Sequence, residues 1–329
     1  MRDNLTTSET DVWVLLDDRA GNRAQSLGVV ENLNVPFKII EIRYGPMIKL
    51  PNVILGTSLM GVTGKTKSLL KAPWPKLVIA AGRRTAPVAR WVKRQSGPTT
   101  RLVQIMDPGS GHDEFDLICR PTHDGGLPGS NIFEISAAPH GFNAEKLTQI
   151  ANNWANPMGD LPTPRIALLI GGSTRRRNFT QDMAQRLCTQ ASAAAAKSNG
   201  SLMVTTSRRT GDVIGAVEAS LSGNYQLHRW DDDAENPYAA YLATADAIIV
   251  TGESVSMCSE AVSTGKPVYI FAPSELITAK HARLHQALLA GGHARLFEGD
   301  VDLTWRPTPL VVADEIVAAI KDRKLLGTS

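Results

Sequence analysis

The sequence is short of the residues that make several function classes recognisable. It has 3 cysteines among 329 residues, at positions 119, 188 and 258, and no C-x-x-C pair. So sparse a set excludes a disulfide framework and a cysteine zinc site, and a reducing cytoplasm is the simplest expectation. Aromatic residues are only 5% of the chain. Few aromatics and many glycine-punctuated apolar runs fit an α/β protein better than a β-sandwich. No run of 18 apolar residues occurs, so no membrane-spanning helix is expected. The first residues, MRDNLTTSETD, are polar and acidic, which does not fit a secretory signal. The net charge of +3 is too small for a nucleic-acid coat, and no nucleic-acid partner is expected.

Missing motifs narrow the chemistry further. No G-x-G-x-x-G follows a strand-like run, against a dinucleotide oxidoreductase, and no Tyr-x-x-x-Lys pair is present. Gly61-Val-Thr-Gly64-Lys65-Thr66 imitates a phosphate loop, but Leu59 stands where its first glycine must be. Gly252-x-Ser254-x-Ser256 lacks the last glycine of a nucleophile elbow. His281 and His285 are four apart but have no acidic partner in an H-E-x-x-H pattern, so a packing or surface role is expected. Asp231-Asp232-Asp233 reads as a strand end and helix cap rather than a metal site. No metal is expected.

What is present is a repeated alternation of apolar runs and helical stretches. Strands are expected over 12–18, 37–43, 76–82, 101–106, 116–120 and 131–136, then over 165–172, 201–207, 225–230, 247–252 and 267–272. Helices are expected up to Leu33 and over 86–95, 180–199, 212–221, 237–244, 255–264, 278–290 and 313–323. Strands alternating with helices imply parallel sheets with right-handed crossovers. The segment 156–164, NPMGDLPTP, reads as a linker, because proline blocks helix continuation. Two domains follow, 1–158 and 159–329, and the last helix is free to pack back on the first. Ligands of open α/β sheets bind beyond the carboxyl ends of the strands, and the cleft between two such domains is the default site.

Candidate residues cluster at those strand ends. Gly171, Gly172, Ser173 and Thr174 lead from a buried strand toward a helix, followed at once by Arg175, Arg176 and Arg177. Glycines admit a close approach, and N–H groups at a helix start hold phosphate. At a second junction stand Gly252, Glu253, Ser254, Ser256 and Met257, with Glu260 further into the helix and able to accept both hydroxyls of a ribose. Arg208 and Arg209 follow another strand. In the first half, Arg19, Gly21, Asn22 and Arg23 form the first turn, and Arg83 and Arg84 follow the third strand. Arginine matches phosphate or carboxylate oxygens bidentately, so the shared address points to one small multiply charged anion. Asp17, Asp18 and Asp107 end strands and are candidate general bases, or helix caps. Apolar residues over 47–60, MIKLPNVILGTSLM, form either a docking or membrane-facing surface or an ordinary loop.

Two resemblances rest on these residues. LLIGGST at 168–174 and TGESVSMCSEAVSTGKPVYIFAP at 251–273 resemble the GT-B glycosyltransferases, in particular the lipid-linked peptidoglycan N-acetylglucosaminyltransferase group. That resemblance implies a GT-B-like α/β fold of two Rossmann-type βα domains facing each other across a cleft. It implies a nucleoside-diphosphate sugar as donor substrate, no cofactor, diphosphate and ribose contacts at Ser256 and Glu260, and a lipid-linked or cell-envelope glycan as the acceptor class, with the protein peripheral at the inner face of the membrane. The first turn departs from that group: Asp17-Asp18-Arg19-Ala20-Gly21-Asn22-Arg23 has no histidine to carry over. Over most of both halves, LLDDRAGNRAQSLG (15–28), GRRTAPVARWVKR (82–94), QIMDP (104–108), LIGGSTRRRNFT (169–180) and TTSRRTG (205–211) resemble the plant mitochondrial fission (elongated mitochondria) family and its bacterial relatives. The first resemblance implies sugar transfer without a metal; the second implies an adaptor that binds a protein partner or a membrane surface.

Overall fold

The computed structural model describes residues 11–126, 128–154 and 161–327. They group into two compact units, Met1–Gly141 with Val312–Ser329, and Phe142–Val311. The first unit carries strands β1 (Val12–Leu16), β2 (Phe37–Glu41), β3 (Leu77–Ala81), β4 (Arg101–Ile105), β5 (Leu117–Pro121) and β6 (Ile132–Ile135). Its helices are α1 (Ala20–Leu33), α2 (Asn52–Leu55), α3 (Gly64–Lys67) and α4 (Ala86–Ser96). The second unit begins with helix α5 (Ala144–Asn153) and holds strands β7 (Arg165–Ile170), β8 (Ser201–Thr206), β9 (Tyr225–His228), β10 (Ala247–Thr251), β11 (Val268–Phe271) and β12 (Arg295–Leu296). Helices α6 (Gln181–Lys197), α7 (Ile214–Ser220), α8 (Tyr238–Thr244), α9 (Val255–Val262) and α10 (Ala279–Ala290) alternate with them, and α11 (Val312–Asp322) returns to the first unit.

Each unit is built on one six-stranded parallel sheet. The orders are β2-β1-β3-β4-β5-β6 and β12-β11-β10-β7-β8-β9. The second is the 3-2-1-4-5-6 order of dinucleotide-binding sheets, and the first starts in the 2-1-3-4-5 order. Strands β1, β3, β5 and β10 are buried at every position, as parallel strands covered on both faces must be. That is why unbroken apolar runs such as VWVLL and AIIVT mark them in the sequence. The core of the first unit includes Trp13, with Trp74 and Trp91 packed at centroid spacings of 5.8 and 6.0 Å. The second core gathers Phe179, Leu187, Ile249 and Phe271.

Local chemistry sets the helix ends. Thr180 caps α6 through Met183 N (3.3 Å), and Thr278 caps α10 in a box closed by His281. The sequence reading has no helix over 144–153. Yet α5 forms there because Asn143 accepts from Lys146 N (2.9 Å), and its Leu147 is buried. Gly28 lets α1 pass against the carbonyl of His140, where a Cβ would sit 2.3 Å away. The expected boundary at 158/159, and residues 156–160 of the expected linker, lie outside the described residues. The contacts place α5 with the second unit, against α8, and α11 with the first, against α1. Asn32 donates to Asp314 across that helix pair (2.9 Å).

All three cysteines are buried and free. Burial raises their thiols, that of Cys188 to about 12, so none is a thiolate nucleophile at neutral pH. No helix of the described residues is long and apolar enough to cross a membrane.

Candidate functional site

The strand orders locate the site in each unit. Successive strands diverge to opposite sides of β7 and β10 in the second sheet and of β1 and β3 in the first, and the crevice beyond such a switch point is where ligands bind.

In the second unit Gly171 and Gly172 leave β7. Gly171 N donates to Thr251 Oγ1 (2.8 Å) and Gly172 N to Glu253 Oε1 (2.7 Å). Ser173 N donates to Arg209 O (2.9 Å) and Thr174 N to Arg177 O (2.7 Å). These amides were expected to cradle phosphate, and the structure corrects that role, because each is occupied within the chain. The glycines serve packing instead. Gly172 has φ +121°, and a Cβ there would stand 2.3 Å from the Arg209 carbonyl carbon. Ser207 Oγ and Thr210 Oγ1 both donate to Gly171 O, the latter at 3.1 Å. The loops after β7, β8 and β10 are thus tied into one rigid base.

Glu253 lies at the centre of that base, 3% exposed. Its Oε1 sits 3.4 Å from Arg209 Nη2, while its Oε2 is buried without a partner among the described residues. Burial raises its carboxyl against the pull of Arg209 and the Gly172 amide. The adjacent Gly252 O faces His285 Nε2 at 2.8 Å. A carbonyl only accepts, so this nitrogen carries the proton, and burial of the ring favours its neutral form. His285 therefore fixes the loop, and His281 serves the α10 cap, in keeping with the packing roles expected of them. Asp232 accepts from Arg229 N (2.8 Å) and closes the turn after β9.

Around this base stand the groups that remain free. Arg175, Arg176 and Arg208 are exposed. No carboxylate among the described residues pairs with them or with exposed Arg177. Ser254 precedes α9 but makes no side-chain cap. Its first-turn amides, at Val255, Ser256 and Met257, have no intrahelical partner. Ser256 is exposed and Met257 half-buried. One to two turns on, half-buried Glu260 accepts from Tyr238 through Oε2. Burial pushes the Glu260 carboxyl up to about 7, against the Tyr238 hydrogen bond. Tyr238 carried no sequence signal, because it lies 22 residues away in another helix.

In the first unit the switch point is internally paired. Arg84, behind β3, donates to both Asp17 and Asp18 behind β1 and stacks 4.6 Å over the Tyr44 ring. Buried Asp17 also accepts from Asn22 Nδ2 (2.6 Å) and Arg19 N (3.3 Å). Burial raises the Asp18 carboxyl, but the Arg84 hydrogen bond and charge outweigh it and hold it below the ordinary value. Arg83 donates to Leu50 O and Asn52 Oδ1, both at 3.3 Å, and Arg23 pairs with Glu41 at 3.0 Å. Arg19 and Gly21 are exposed. Arg84 was read as an anion ligand and Asp17 as a base; the structure makes them each other's counterions, because a buried carboxylate needs one. Asp107 remains exposed. It accepts from Gly109 N (2.5 Å) and faces His112 Nε2 at 3.2 Å. His112 escaped the sequence reading, although it lies only five residues on in a glycine-flanked loop.

Known proteins share this architecture. A protein assigned as a UDP-N-acetylglucosamine 2-epimerase from Listeria monocytogenes superposes with a TM-score of 0.55 at 12% identity, covering 98% of this chain and 92% of that one. The glycotransferase of kitacinnamycin gives 0.52 at 13% identity, covering 97% and 94%. At such identity these show the fold, which is GT-B. In sequence, the uncharacterized protein RP120 of Rickettsia prowazekii (strain Madrid E) is 28% identical over 348 residues, covering 94% of this chain and 98% of its own. The mitochondrial fission protein ELM1 of Arabidopsis thaliana is 28% identical over 299 residues, covering 83% and 69%. The family model described as Mitochondrial fission ELM1 matches residues 20–324, and the chain belongs to that family.

Proposed function

We propose that the second unit binds a nucleoside-diphosphate sugar and that the protein transfers the sugar to an acceptor hydroxyl. One observation carries this reading: exposed arginines without carboxylate partners, beside an uncapped helix start, at the β7/β10 switch point. Fixed positive donors aimed at developing charge stabilise a leaving diphosphate. Arg175, Arg176, Arg208 and the first turn of α9 take that role, and the Glu260 carboxylate accepts ribose hydroxyls. The acceptor oxygen forms a bond to the anomeric carbon as the bond from that carbon to the diphosphate breaks. The acceptor proton passes to a general base; of the candidates Asp17, Asp18 and Asp107, Asp107, which faces His112, is the one not held by Arg84. The GT-B fold supports the reading; of the two structural neighbours, one is named for nucleotide-sugar epimerisation and the other for glycosyl transfer.

A thermal-shift screen of UDP-, GDP-, ADP-, dTDP- and CMP-sugars tests it. A ligand at about 100 times its Kd adds about 2.7 kcal/mol of stability. The double variant Arg176→Ala/Glu260→Ala should lose that shift, and retention of it with every sugar sinks the assignment.

Glu260 makes a second prediction. A carboxyl raised from 4.5 to about 7 holds its proton more tightly in the folded chain, so its contribution to stability falls as pH rises from about 4.5 to 7. Glu260→Gln should therefore stabilise the free protein by about 1–2 kcal/mol at pH 8 and hardly at all at pH 4.5. Urea denaturation at the two pH values measures the difference.

The family name, Mitochondrial fission ELM1, fits a second reading, a non-enzymatic adaptor for a protein partner. A stoichiometric partner in a pulldown, with no thermal shift from any nucleotide sugar, would support that instead.

A further inference from the structure

Charge is distributed very unevenly along the chain. Residues 42–106 contain 12 of the 35 lysines and arginines and none of the 32 aspartates and glutamates. Some of these cations reach acids elsewhere: Lys76 pairs with Asp11, Arg90 with Glu114, and Lys93 and Arg101 with Asp116. Arg43, Lys49, Lys65, Lys67 and Lys71 do not. All five are exposed, and among the described residues none has a carboxylate within ion-pair distance.

The same stretch leaves its apolar side chains in water. Of nine exposed large hydrophobic residues among those described, five are Met47, Val53, Ile54, Met60 and Leu69, with Val53 77% and Ile54 60% exposed. The backbone that presents them is pinned. Gly45 N donates to Gly61 O and Thr63 N to Arg43 O, both at 3.0 Å. Buried Asn52 donates to Arg83 O (2.5 Å) and Pro108 O (2.6 Å). This fixed frame holds Val53 and Ile54 out, interleaved with unpaired lysines.

We propose that this segment, Met47 to Lys71, docks the protein on an anionic lipid bilayer. Such a surface offers an apolar phase for Val53 and Ile54 together with negative charge of no fixed geometry. Lysines suit it, being point charges on flexible stems rather than bidentate forks. A nucleic acid would answer the charge but leave the apolar side chains in water. The proposal does not depend on the nucleotide-sugar reading.

The test is cosedimentation of the full chain with phosphatidylcholine vesicles, with and without 30 mol% phosphatidylglycerol, at 50 and 300 mM NaCl. We expect at least ten-fold stronger binding to the anionic vesicles, weakened by salt. Lys65→Glu/Lys67→Glu and Val53→Ser/Ile54→Ser should each reduce it at least five-fold with an unchanged melting temperature. Leu296→Ser, an exposed apolar change in the second unit, should leave it unaltered. Equal binding by wild type and both double variants overturns the proposal. So does absence of binding to anionic vesicles, including the case in which the chain binds a nucleic-acid duplex instead.

Discussion

Replacing Gly172 with alanine is expected to destabilise the second unit by about 3 kcal/mol and to remove any response to nucleotide sugars. At φ +121° an L-residue is strained, at roughly 1–3 kcal/mol. The new Cβ also meets the backbone of Arg209 and Thr210 at 2.3–2.5 Å, and neither can move without breaking the Ser173 to Arg209 hydrogen bond. A loss of that size lowers the melting temperature of a unit this long by roughly 6–12 °C. The contrast is Gly21, another candidate glycine, which has open space around its Cβ position and lies in helix α1. Gly21→Ala should be neutral or stabilising by up to about 1 kcal/mol. Calorimetry of the two variants decides it, and similar losses in both would mean that the β7 loop is not the rigid base described above.

Removing Arg84 is the second large effect. Its guanidinium faces a carboxylate, Asp17, whose side chain is 1% exposed. Deleting one partner of a buried pair strands the other, and Arg84→Ala should cost about 3 kcal/mol. Asn22 and the Arg19 amide still hold Asp17, which keeps the loss at the lower end of that range. Asp17→Asn added to Arg84→Ala should recover part of it, and the double-mutant cycle isolates the coupling. The pH dependence has a definite sign. The lowered carboxyl of Asp18 gives stability that is present above its ordinary value of 3.8 and lost as pH falls below it. Arg84→Ala should flatten that acid limb, and an unchanged limb in acid-denaturation curves would assign the interaction elsewhere.

These two positions mark what the sequence could and could not reveal. Central strands such as β1, β3 and β10 were legible because parallel strands buried on both faces become unbroken apolar runs, whereas the edge strands β2, β6 and β9 are largely exposed or half-buried and followed from the alternation with helices. Only β12, two exposed residues at the sheet edge, has no pattern to show. The four-residue helices α2 and α3 are too short for a periodic signal. The address of the site was legible too, since it follows from strand ends and clustered arginines. Its internal wiring was not. Asp17 and Arg84 are 67 residues apart, and Gly172 and Glu253 are 81 apart. An amide looks available in the sequence until the fold shows which distant oxygen it meets, and so the glycines were read as a phosphate cradle when their role is close packing. Asp107 with His112 is the opposite case, a local pair that needed only a wider view of the loop.

Helix α11 has a bearing on how the protein is made. It completes the first unit but leaves the ribosome after the whole second unit. At about 5–20 residues per second, roughly 10–40 s pass between synthesis of Gly141 and of α11. Through that interval the face of α1 that packs against α11 has no mate. The unit written first therefore matures last, and during translation a nascent chain holds open a surface that α11 covers only once the second unit has been made.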